Sequence, residues 1–208
     1  LAGPRRRPEP FLAAPLPPLE EEIVELEDLV RFVQHPVRAF LRRRLGISLQ
    51  DFSTDVEDAL PVQLDHLERW DVGQRMLDAR LAGTDARAAY RAEIARGLLP
   101  PGRLAQAPVQ ELVNQVQGIV EAAEAVLGGG APRSADVRAA VGAATISGTV
   151  PGVCGATLRT AIFSRLGPKH RLAAWVRLLA LPATDPGPPW PAVTIGRARR
   201  GDGVAIAT

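Results

Sequence analysis

The sequence predicts an α/β (α+β) domain built around a mixed sheet, and three observations support this prediction. Apolar residues recur at helical spacing through most of residues 23–130. Short segments rich in Val, Ile, Thr and Ala, separated by Gly and Pro, follow between 135 and 164. One more helical segment at 169–181 then precedes two strand-like segments. Because strands occur on both sides of this helix, the sheet is expected to contain parallel and antiparallel neighbours.

The chain begins with a proline-rich stretch. Residues 1–22 contain six prolines and the basic triplet Arg5 to Arg7. Stretches of this composition cannot bury enough apolar surface to fold alone. We therefore interpret 1–22 as a linker that arrives from an upstream domain, and we place the folded domain at 23–208.

The helical part of the prediction covers about 23–130. In ELEDLVRFVQHPVRAFLRRRLGI, apolar residues follow helical spacing, but Pro36 disfavours helix at His35. This segment predicts a helix, a break, and a short helix that Gly46 ends. The intervening residues 50–61, which include Asp51 and Asp55, are acidic and are predicted to be a solvated loop. Three further helices are predicted at about 64–81, 85–96 and 108–127.

The sheet part of the prediction covers about 131–208. A β meander is expected from three short segments at 135–141, 143–150 and 156–164. A final hairpin is expected from 192–198 and 203–207. Because the chain stops on a strand pattern, we expect a truncated C-terminal end, with a further piece that covers this strand.

The three tryptophans fall in different contexts. Trp70 and Trp175 lie on apolar faces of predicted helices and are predicted to belong to the core. Trp190 stands in a loop with five prolines, where packing and contact with a partner or DNA remain open.

Charge is distributed unevenly along the chain. Residues 1–130 hold 15 Arg and 20 Asp or Glu, whereas 131–208 hold 10 Arg or Lys and three acids. A basic half is a plausible footprint for a phosphate backbone. A solvated basic surface explains the same charge, and both interpretations stay open.

The sequence lacks the residues that several common binding sites and structural features require. No Gly-Lys pair occurs, which excludes the usual phosphate-binding loop for ATP. The single cysteine, Cys154, excludes an internal disulfide framework and a zinc cluster, and we expect a buried or incidental thiol. No apolar run reaches about 18 residues, so no membrane partner is expected. Neither metal nor cofactor is therefore expected in this domain.

Carboxylates are missing from the centre of the predicted sheet. Between Ser147 and Leu181 there is no Asp or Glu. Metal-dependent DNA cleavage needs two or three carboxylates that converge on Mg²⁺. An active nuclease would have to use other acids, of which Asp136, Glu121 and Glu124 are the candidates.

Four stretches of the chain carry a family resemblance: EDLVRFVQHPVRAFLRRRLGI, LDHLERWDVGQRMLDARL, RGLLPPG and SRLGPKHRLAAWVRLLAL. The phrase F-x-x-HPVRAF-L-x-x-RL is the most specific part, and LPPG downstream supports it. Together they resemble the C-terminal domain family of RecC, the gamma subunit of exodeoxyribonuclease V, from about Leu19 to Thr208.

The resemblance implies a scaffold subunit that works with two helicase motors, RecB and RecD. That complex unwinds and degrades DNA from double-strand ends until it meets a Chi sequence, and then loads the recombinase. The expected partners are thus RecB, RecD and a double-stranded DNA end or fork. ATP and Mg²⁺ are expected only in the partner subunits, and the expected location is the cytoplasm.

The resemblance also implies a PD-(D/E)xK restriction-endonuclease-like core whose active site is lost. Where active relatives carry a helical His, this chain has Gln74. Where they carry G-x-[IV]-D, it reads 148–151 and places Pro151 at the acid. Their D-x-K corresponds to a segment near 163–165, which begins with Phe163, and their helical Gln lies near Arg171.

We hypothesise that the lost metal site has become a basic, DNA-binding surface formed by Arg165, Lys169, His170 and Arg171. Backbone N–H groups of the helix that begins near Lys169 could also face an anion. The alternative is that these residues form salt bridges with RecB or cover a helix end.

Three functions follow as alternatives. The first is a non-catalytic scaffold and DNA-guiding domain in double-strand break repair and recombination, with no independent enzyme activity. The second is a cryptic metal-dependent nuclease. The third is a protein-binding module that does not contact DNA.

Overall fold

The computed structural model describes residues 12, 14–19, 21–48, 64–97, 99–100, 106–126, 131–187 and 189–208. Within these residues, a short strand and five consecutive helices are followed by three strands, one helix and two strands. They form an α+β arrangement around a mixed sheet, as predicted. The helices are α1 Leu26–Gln34, α2 Pro36–Leu45, α3 His66–Leu81, α4 Ala86–Ala95, α5 Gln106–Ala125 and α6 Pro168–Thr184. The strands are β1 Ile23–Glu25, β2 Arg133–Val141, β3 Ala144–Cys154, β4 Thr157–Arg165, β5 Ala192–Arg197 and β6 Val204–Ala207.

The sheet contains the predicted meander and hairpin. Strands β2, β3 and β4 are antiparallel neighbours, and β5 and β6 form the antiparallel hairpin. Strand β4 pairs with β5 in parallel, because α6 carries the chain back to the start of the sheet between them. The strand order is β1-β3-β4-β5-β6, with β2 paired to β3 beside this path.

Different helices cover the two faces of the sheet. On one face, α3 and α5 pack on β4 and β5 around a buried cluster that includes Phe163, Val193 and Ile195. On the other face, α1 and α6 pack on β2 and β3 around a cluster that includes Val150 and Leu158. Each sheet face therefore has its own apolar core, and the strands between them are buried from both sides.

Local sequence rules explain the helix boundaries. His35 leaves the helical conformation between α1 and α2, as Pro36 requires, and Gly46 ends α2 with φ 66°. Asp65 begins α3 by accepting hydrogen bonds from the backbone N–H groups of the first turn, while Glu68 reaches back to the Asp65 N–H. Among the described helices, none combines the length and apolar character that a bilayer span requires.

The sequence does not predict β1. Residues 23–25 follow the proline-rich stretch directly and pair in parallel with 145–147 of β3. Most of the predicted linker, residues 1–11 with 13 and 20, lies outside the described residues. The predicted acidic loop at 50–61 lies outside them as well.

The prediction for the tryptophans was wrong for two of them. Trp175 is 56% exposed and Trp70 is 38% exposed, so neither is enclosed in the core. Trp190 is half-buried and packs against the α1–α6 cluster, which assigns it to packing. Helix α6 is apolar on both sides, and its small residues Ala173 and Ala180 face the sheet because they allow close approach. Cys154 is buried, as predicted.

Candidate functional site

The carboxyl-terminal end of β4 is irregular. The β4–β5 register shifts between Ala161 and Arg165. Within this stretch, the Phe163 ring lies against α3, and the Ser164 hydroxyl accepts a 2.8 Å hydrogen bond from Trp70 Nε1 of the same helix. Consecutive residues of a regular strand point to opposite faces. The bulge therefore turns both side chains toward α3.

Two positions that the resemblance assigns to the lost site are in direct contact. Phe163 is fully buried, and its backbone N–H donates a 2.8 Å hydrogen bond to Gln74 Oε1. The Gln74 amide also donates to Asp78 Oδ1 at 2.9 Å, which fixes its orientation one turn along α3. Gln74 of α3 and Phe163 of β4 are thus neighbours in space.

An apolar ring occupies this centre. A Cβ at Gly73 would lie 2.1 Å from the Phe163 ring, so only glycine fits there. On the other side, the Arg197 guanidinium lies 4.7 Å from the ring centroid and donates to Gln115 Oε1 at 3.1 Å. Phe163 is therefore enclosed between a helix backbone and a cation.

The segment 148–151 of β3 has different surroundings. Gly148 lies against α1, since a Cβ there would be 2.8 Å from Leu26 Cβ. Pro151 is exposed and lies between the registered pairs that Val150 and Val153 make with β2. Proline has no N–H to donate, and such an interruption of the ladder tolerates it. The structure thus places Pro151 at the surface and Phe163 in the core.

Strand β1 pairs with β3 directly before the segment 148–151. Residues 145–147 pair with β2 on one side and with β1 on the other, whereas 153–154 pair with β2 or β4. Since a strand has two edges, β1 and β4 share one edge of β3 at successive positions. Strands β3 and β4 pair only at 153–154, next to the turn that joins them. Beyond that point, β1 and the first turn of α1 lie beside β3 in place of β4.

The predicted basic residues lie around the start of α6. Arg165 is exposed at the end of β4, and its Nη1 donates to the Arg199 carbonyl at 3.3 Å. Lys169 and Arg171 are exposed in the first turn of α6. These three cations can therefore reach a ligand from solvent.

His170 differs from its neighbours. Its ring is half-buried, and Nδ1 accepts a 3.1 Å hydrogen bond from the backbone N–H of Gly167, which caps α6. Burial lowers the pKa of His170 and the charge of Lys169 lowers it further, so the neutral ring is favoured. The Gly167 N–H is bonded to His170, and Pro168 has no N–H. Neither residue therefore offers a backbone donor to an anion at the start of α6.

Sequence reasoning missed two arginines of this region, Arg69 of α3 and Arg197 of β5. Burial lowers the pKa of Arg197, and the nearby charges of Arg165 and Arg69 lower it further. Glu111 balances Arg69 at 2.5 Å, and Asp202 accepts from Gln115 at 3.0 Å. No motif marks these residues, because only the fold brings the three arginines together.

The acids named as possible catalytic groups lie on two elements, Asp136 on β2 and both Glu121 and Glu124 on α5. Asp136 on β2 accepts a 2.7 Å hydrogen bond from the Thr149 hydroxyl. Glu121 on α5 accepts from the Gln117 amide at 2.9 Å, and Glu124 is exposed on the same helix. Within the described ranges, no three His, Cys, Asp or Glu side chains group as metal ligands would.

Comparison with known proteins gives consistent matches. The profile of the family described as the RecC C-terminal domain matches residues 21–201. The RecBCD enzyme subunit RecC of Mycobacterium tuberculosis H37Rv is 38% identical over 205 residues, which are 98% of this chain and 18% of that protein. The subunit from Mycolicibacterium smegmatis is 41% identical over 204 residues, 96% of this chain and 18% of that protein.

A more distant relative shows the same relationship. The RecBCD enzyme subunit RecC of Escherichia coli K12 is 32% identical over 139 residues, 67% of this chain and 12% of that protein. The chain spans less than a fifth of the length of each of these curated relatives.

Proposed function

The chain belongs to the RecC C-terminal domain family, and on this premise we propose that it is a non-catalytic scaffold and DNA-guiding domain of a RecBCD-type complex. In this proposal it acts in the cytoplasm beside RecB and RecD subunits, in double-strand break repair and recombination. ATP and Mg²⁺ serve the partner subunits, and this domain holds neither.

The proposal includes an inactivated PD-(D/E)xK fold. Its support is the order of elements, in which a helix precedes an antiparallel meander, a second helix and a strand parallel to the last meander strand. Further support comes from the contact between Gln74 and Phe163, the positions aligned with the helical His and the D-x-K acid.

The observation that carries the non-catalytic role is the burial of Phe163. Its ring has no exposed surface and lies between the Gly73 backbone and the Arg197 guanidinium. A hard cation needs oxygen ligands. Since Ser147 to Leu181 contains no acid, neither β3 beyond this point nor β4 supplies a carboxylate to this centre.

A cleavage assay tests this role. The purified whole protein, without partner subunits, is incubated with linear duplex and single-stranded DNA in Mg²⁺ or Mn²⁺, and we expect the DNA to remain intact. Cleavage that disappears in Asp136→Asn, or in Glu121→Gln with Glu124→Gln, would overturn the non-catalytic assignment. Cleavage unchanged by these substitutions indicates a contaminating nuclease, which a second purification step removes before the test is repeated.

The DNA-guiding part of the proposal rests on three exposed cations, Arg165, Lys169 and Arg171. They lie within seven residues of chain where β4 turns into α6, with no acid among them. In the proposal they contact phosphates of a forked duplex. His170 positions the first turn of α6 by capping it, rather than contacting phosphate, because its Nδ1 is already bonded to Gly167.

Forked-duplex binding at several salt concentrations tests these contacts. In the whole protein, Lys169→Ala with Arg171→Ala should weaken binding and lower the salt slope by roughly 2, since each duplex phosphate contact contributes about 0.9. Arg87→Ala with Arg91→Ala removes the same charge from exposed positions on α4 and serves as the control. Equal affinity and slope in both double variants would rule out DNA contact by α6.

One observation favours a second function, that of a protein-binding module. Helix α6 exposes three large apolar side chains on one side, Leu172, Trp175 and Leu179, at 41%, 56% and 49%. Exposed apolar stripes with an aromatic residue are typical of protein interfaces. A domain that both docks on a partner and guides DNA would use this side of α6 for the partner.

A further inference from the structure

Helix α2 has a side that the described part of the fold does not cover. None of its ten residues is buried, although Val37, Phe40 and Leu41 are apolar. Val37 is 71% exposed. Among the described elements, α1 is the one that packs extensively against α2. Since an isolated helix of this length is marginal in water, a ligand that covers α2 would also stabilise it.

A groove runs between α1, α2 and the residues that precede β1. Its volume is about 840 Å³, and its apolar lining includes Phe32 of α1 and Phe40 of α2. The Phe32 side chain is 50% exposed, so a ligand can reach it from solvent. Exposed aromatic side chains in a concave surface are typical of protein interfaces. The groove therefore offers an apolar contact to a partner.

The groove is also strongly basic. Five arginines and two acids line it, an excess of three positive charges. The acids are Glu21 and Asp28. The arginines are Arg31, Arg38, Arg42, Arg43 and Arg44. Because opposite charges across an interface favour binding and exclude wrong partners, this lining favours an acidic ligand.

A short segment of the chain itself already contacts part of this basic lining. Arg43 pairs with the carboxylate of Glu21 and lies 3.7 Å from Asp28 Oδ2. Arg44 donates a hydrogen bond to the backbone carbonyl of Pro17. The last turn of α2 is thus matched by acceptors that precede β1.

Two arginines of the groove have no such match. Arg38 and Arg42 lie one turn apart on α2, and both are exposed. Their guanidinium groups make no hydrogen bond or ion pair with the residues that the structure describes. They are therefore available to carboxylates that come from outside the domain.

We propose that the groove between α1 and α2 binds an acidic segment of a partner protein, whose carboxylates pair with Arg38 and Arg42 and whose apolar side chain packs against Phe32. The stripe on α6 differs from this surface, because it presents large apolar side chains. The contact is also independent of the one proposed for DNA, since α1 and α2 make it instead of α6.

A nucleic acid fits this groove less well than a peptide does. Glu21 and Asp28 stand among the arginines and would repel a backbone that carries a charge at every phosphate. A peptide can place carboxylates opposite Arg38 and Arg42 alone and an apolar side chain on Phe32. A phosphate backbone supplies no such apolar contact.

Fluorescence anisotropy with labelled peptides and the whole protein provides the test. The probe is a glutamate-rich peptide that contains two phenylalanines, and a second peptide has glutamine in place of every glutamate. We expect the glutamate peptide to bind, and the glutamine peptide to bind about tenfold more weakly, because a neutral amide forms no ion pair.

Variants of the protein locate the binding site of the peptide. Arg38→Glu with Arg42→Glu should weaken binding of the glutamate peptide about tenfold or more, since the variant replaces attraction by repulsion. Phe32→Ala should weaken it about fivefold through the lost apolar contact. The matched control, Arg87→Glu with Arg91→Glu, reverses the same charge at exposed positions of α4 and should bind like the unmodified protein.

Three results would overturn the proposal. The first is equal binding of the glutamate peptide by the α2 and α4 double variants. The second is an unmodified protein that binds neither peptide, or binds both equally. The third is labelled oligo(dT) whose affinity falls in the α2 double variant while that of the glutamate peptide does not, because the groove then binds nucleic acid. Circular dichroism melts show whether each variant is folded, and Arg38→Gln with Arg42→Gln replaces the double variant if charge reversal unfolds it.

Discussion

Gln74 Oε1 accepts a 2.8 Å hydrogen bond from the backbone N–H of Phe163. The β4–β5 register shifts at this place, so the N–H lies outside the registered pairs of the ladder. A side chain of α3 supplies the acceptor instead. A buried N–H without a partner is costly, and this hydrogen bond therefore couples α3 to the bulge that aims Phe163, Ser164 and Arg165.

Replacing Gln74 should destabilise the fold. Gln74→Ala leaves the Phe163 N–H buried without an acceptor, and we expect the free energy of unfolding to fall by about 1–3 kcal/mol. Urea denaturation of the whole protein measures the change. The control is Gln110→Ala on the exposed side of α5, which removes only a surface contact with Asn114. If the two substitutions lower the free energy of unfolding equally, the Gln74 hydrogen bond contributes no more to stability than a surface contact does.

Gly73 makes a second contact with Phe163 that can be tested by adding one methyl group. Alanine is the better helix former by about 1 kcal/mol, yet a Cβ at Gly73 would lie 2.1 Å from the ring. Gly73→Ala should therefore destabilise by about 1–3 kcal/mol through overpacking. Combining it with Phe163→Leu should restore part of the loss, because the smaller side chain leaves room.

A matched helical glycine provides the control for this prediction. Gly118 on α5 would place its added Cβ 3.1 Å from Val204 Cγ2, the far end of a side chain that can shift. Gly118→Ala should then be neutral or mildly stabilising. Thermal melts that show stabilisation by Gly73→Ala as well would contradict the packing of Phe163 against α3.

Local signals in the sequence predict most of the elements correctly. Pro36 and Gly46 fix the ends of α2, and Asp85 begins α4, because each acts through backbone conformation or hydrogen bonds within one turn. The strands of the meander follow from short apolar segments between glycines. Such features need no knowledge of the rest of the chain.

Features that depend on distant parts of the chain were not predictable. Strand β1 has three residues and gains its partner only when β3 exposes an edge. Helical spacing assigns Trp175 to an apolar face of α6, but the sheet packs against the other side, where Ala173 and Ala180 lie. Arg197 and Arg69 are connected through Gln115 and Glu111 only after folding, so no spacing along the chain could have paired them.

The cap of α6 should make stability depend on pH. The pKa of His170 is lowered below the ordinary 6.5 by burial and by Lys169. The folded protein therefore binds a proton less readily than the unfolded chain, and stability rises with pH. The contribution of His170 is complete above about pH 6.5 and is lost as pH falls through its lower folded pKa, when protonated Nδ1 no longer accepts from Gly167.

Urea midpoints between about pH 5 and pH 8 measure this dependence. His170→Asn keeps a side-chain acceptor for the Gly167 N–H but cannot titrate, so its midpoint should vary less with pH. His66→Asn, at the exposed start of α3, should leave the pH profile of the unmodified protein in place. A His170 variant with an unaltered profile would assign the pH dependence to other groups.

The exposed side of α6 leads to a prediction about partner binding. Trp175 and Leu179 lie one turn apart with about half of each side chain in solvent. Beside Trp175, a cavity of about 430 Å³ is lined by Leu178, Ala192 and Ala207, among others. Trp175→Glu with Leu179→Glu should reduce recovery of co-expressed RecB-type partner subunits, because a charge placed in an apolar interface loses hydration without gaining a partner.

The same substitutions should leave the isolated fold almost unchanged, which separates docking from stability. Exposed positions away from structural features change the free energy of unfolding by about 0.5 kcal/mol or less. Ile94→Glu on α4, also half exposed, is the matched control and should recover the partner subunits fully. If the α6 variant recovers them equally well, the stripe is not the docking surface. If the α6 variant alone melts at a markedly lower temperature, its apolar side chains contribute to the core and not to an interface.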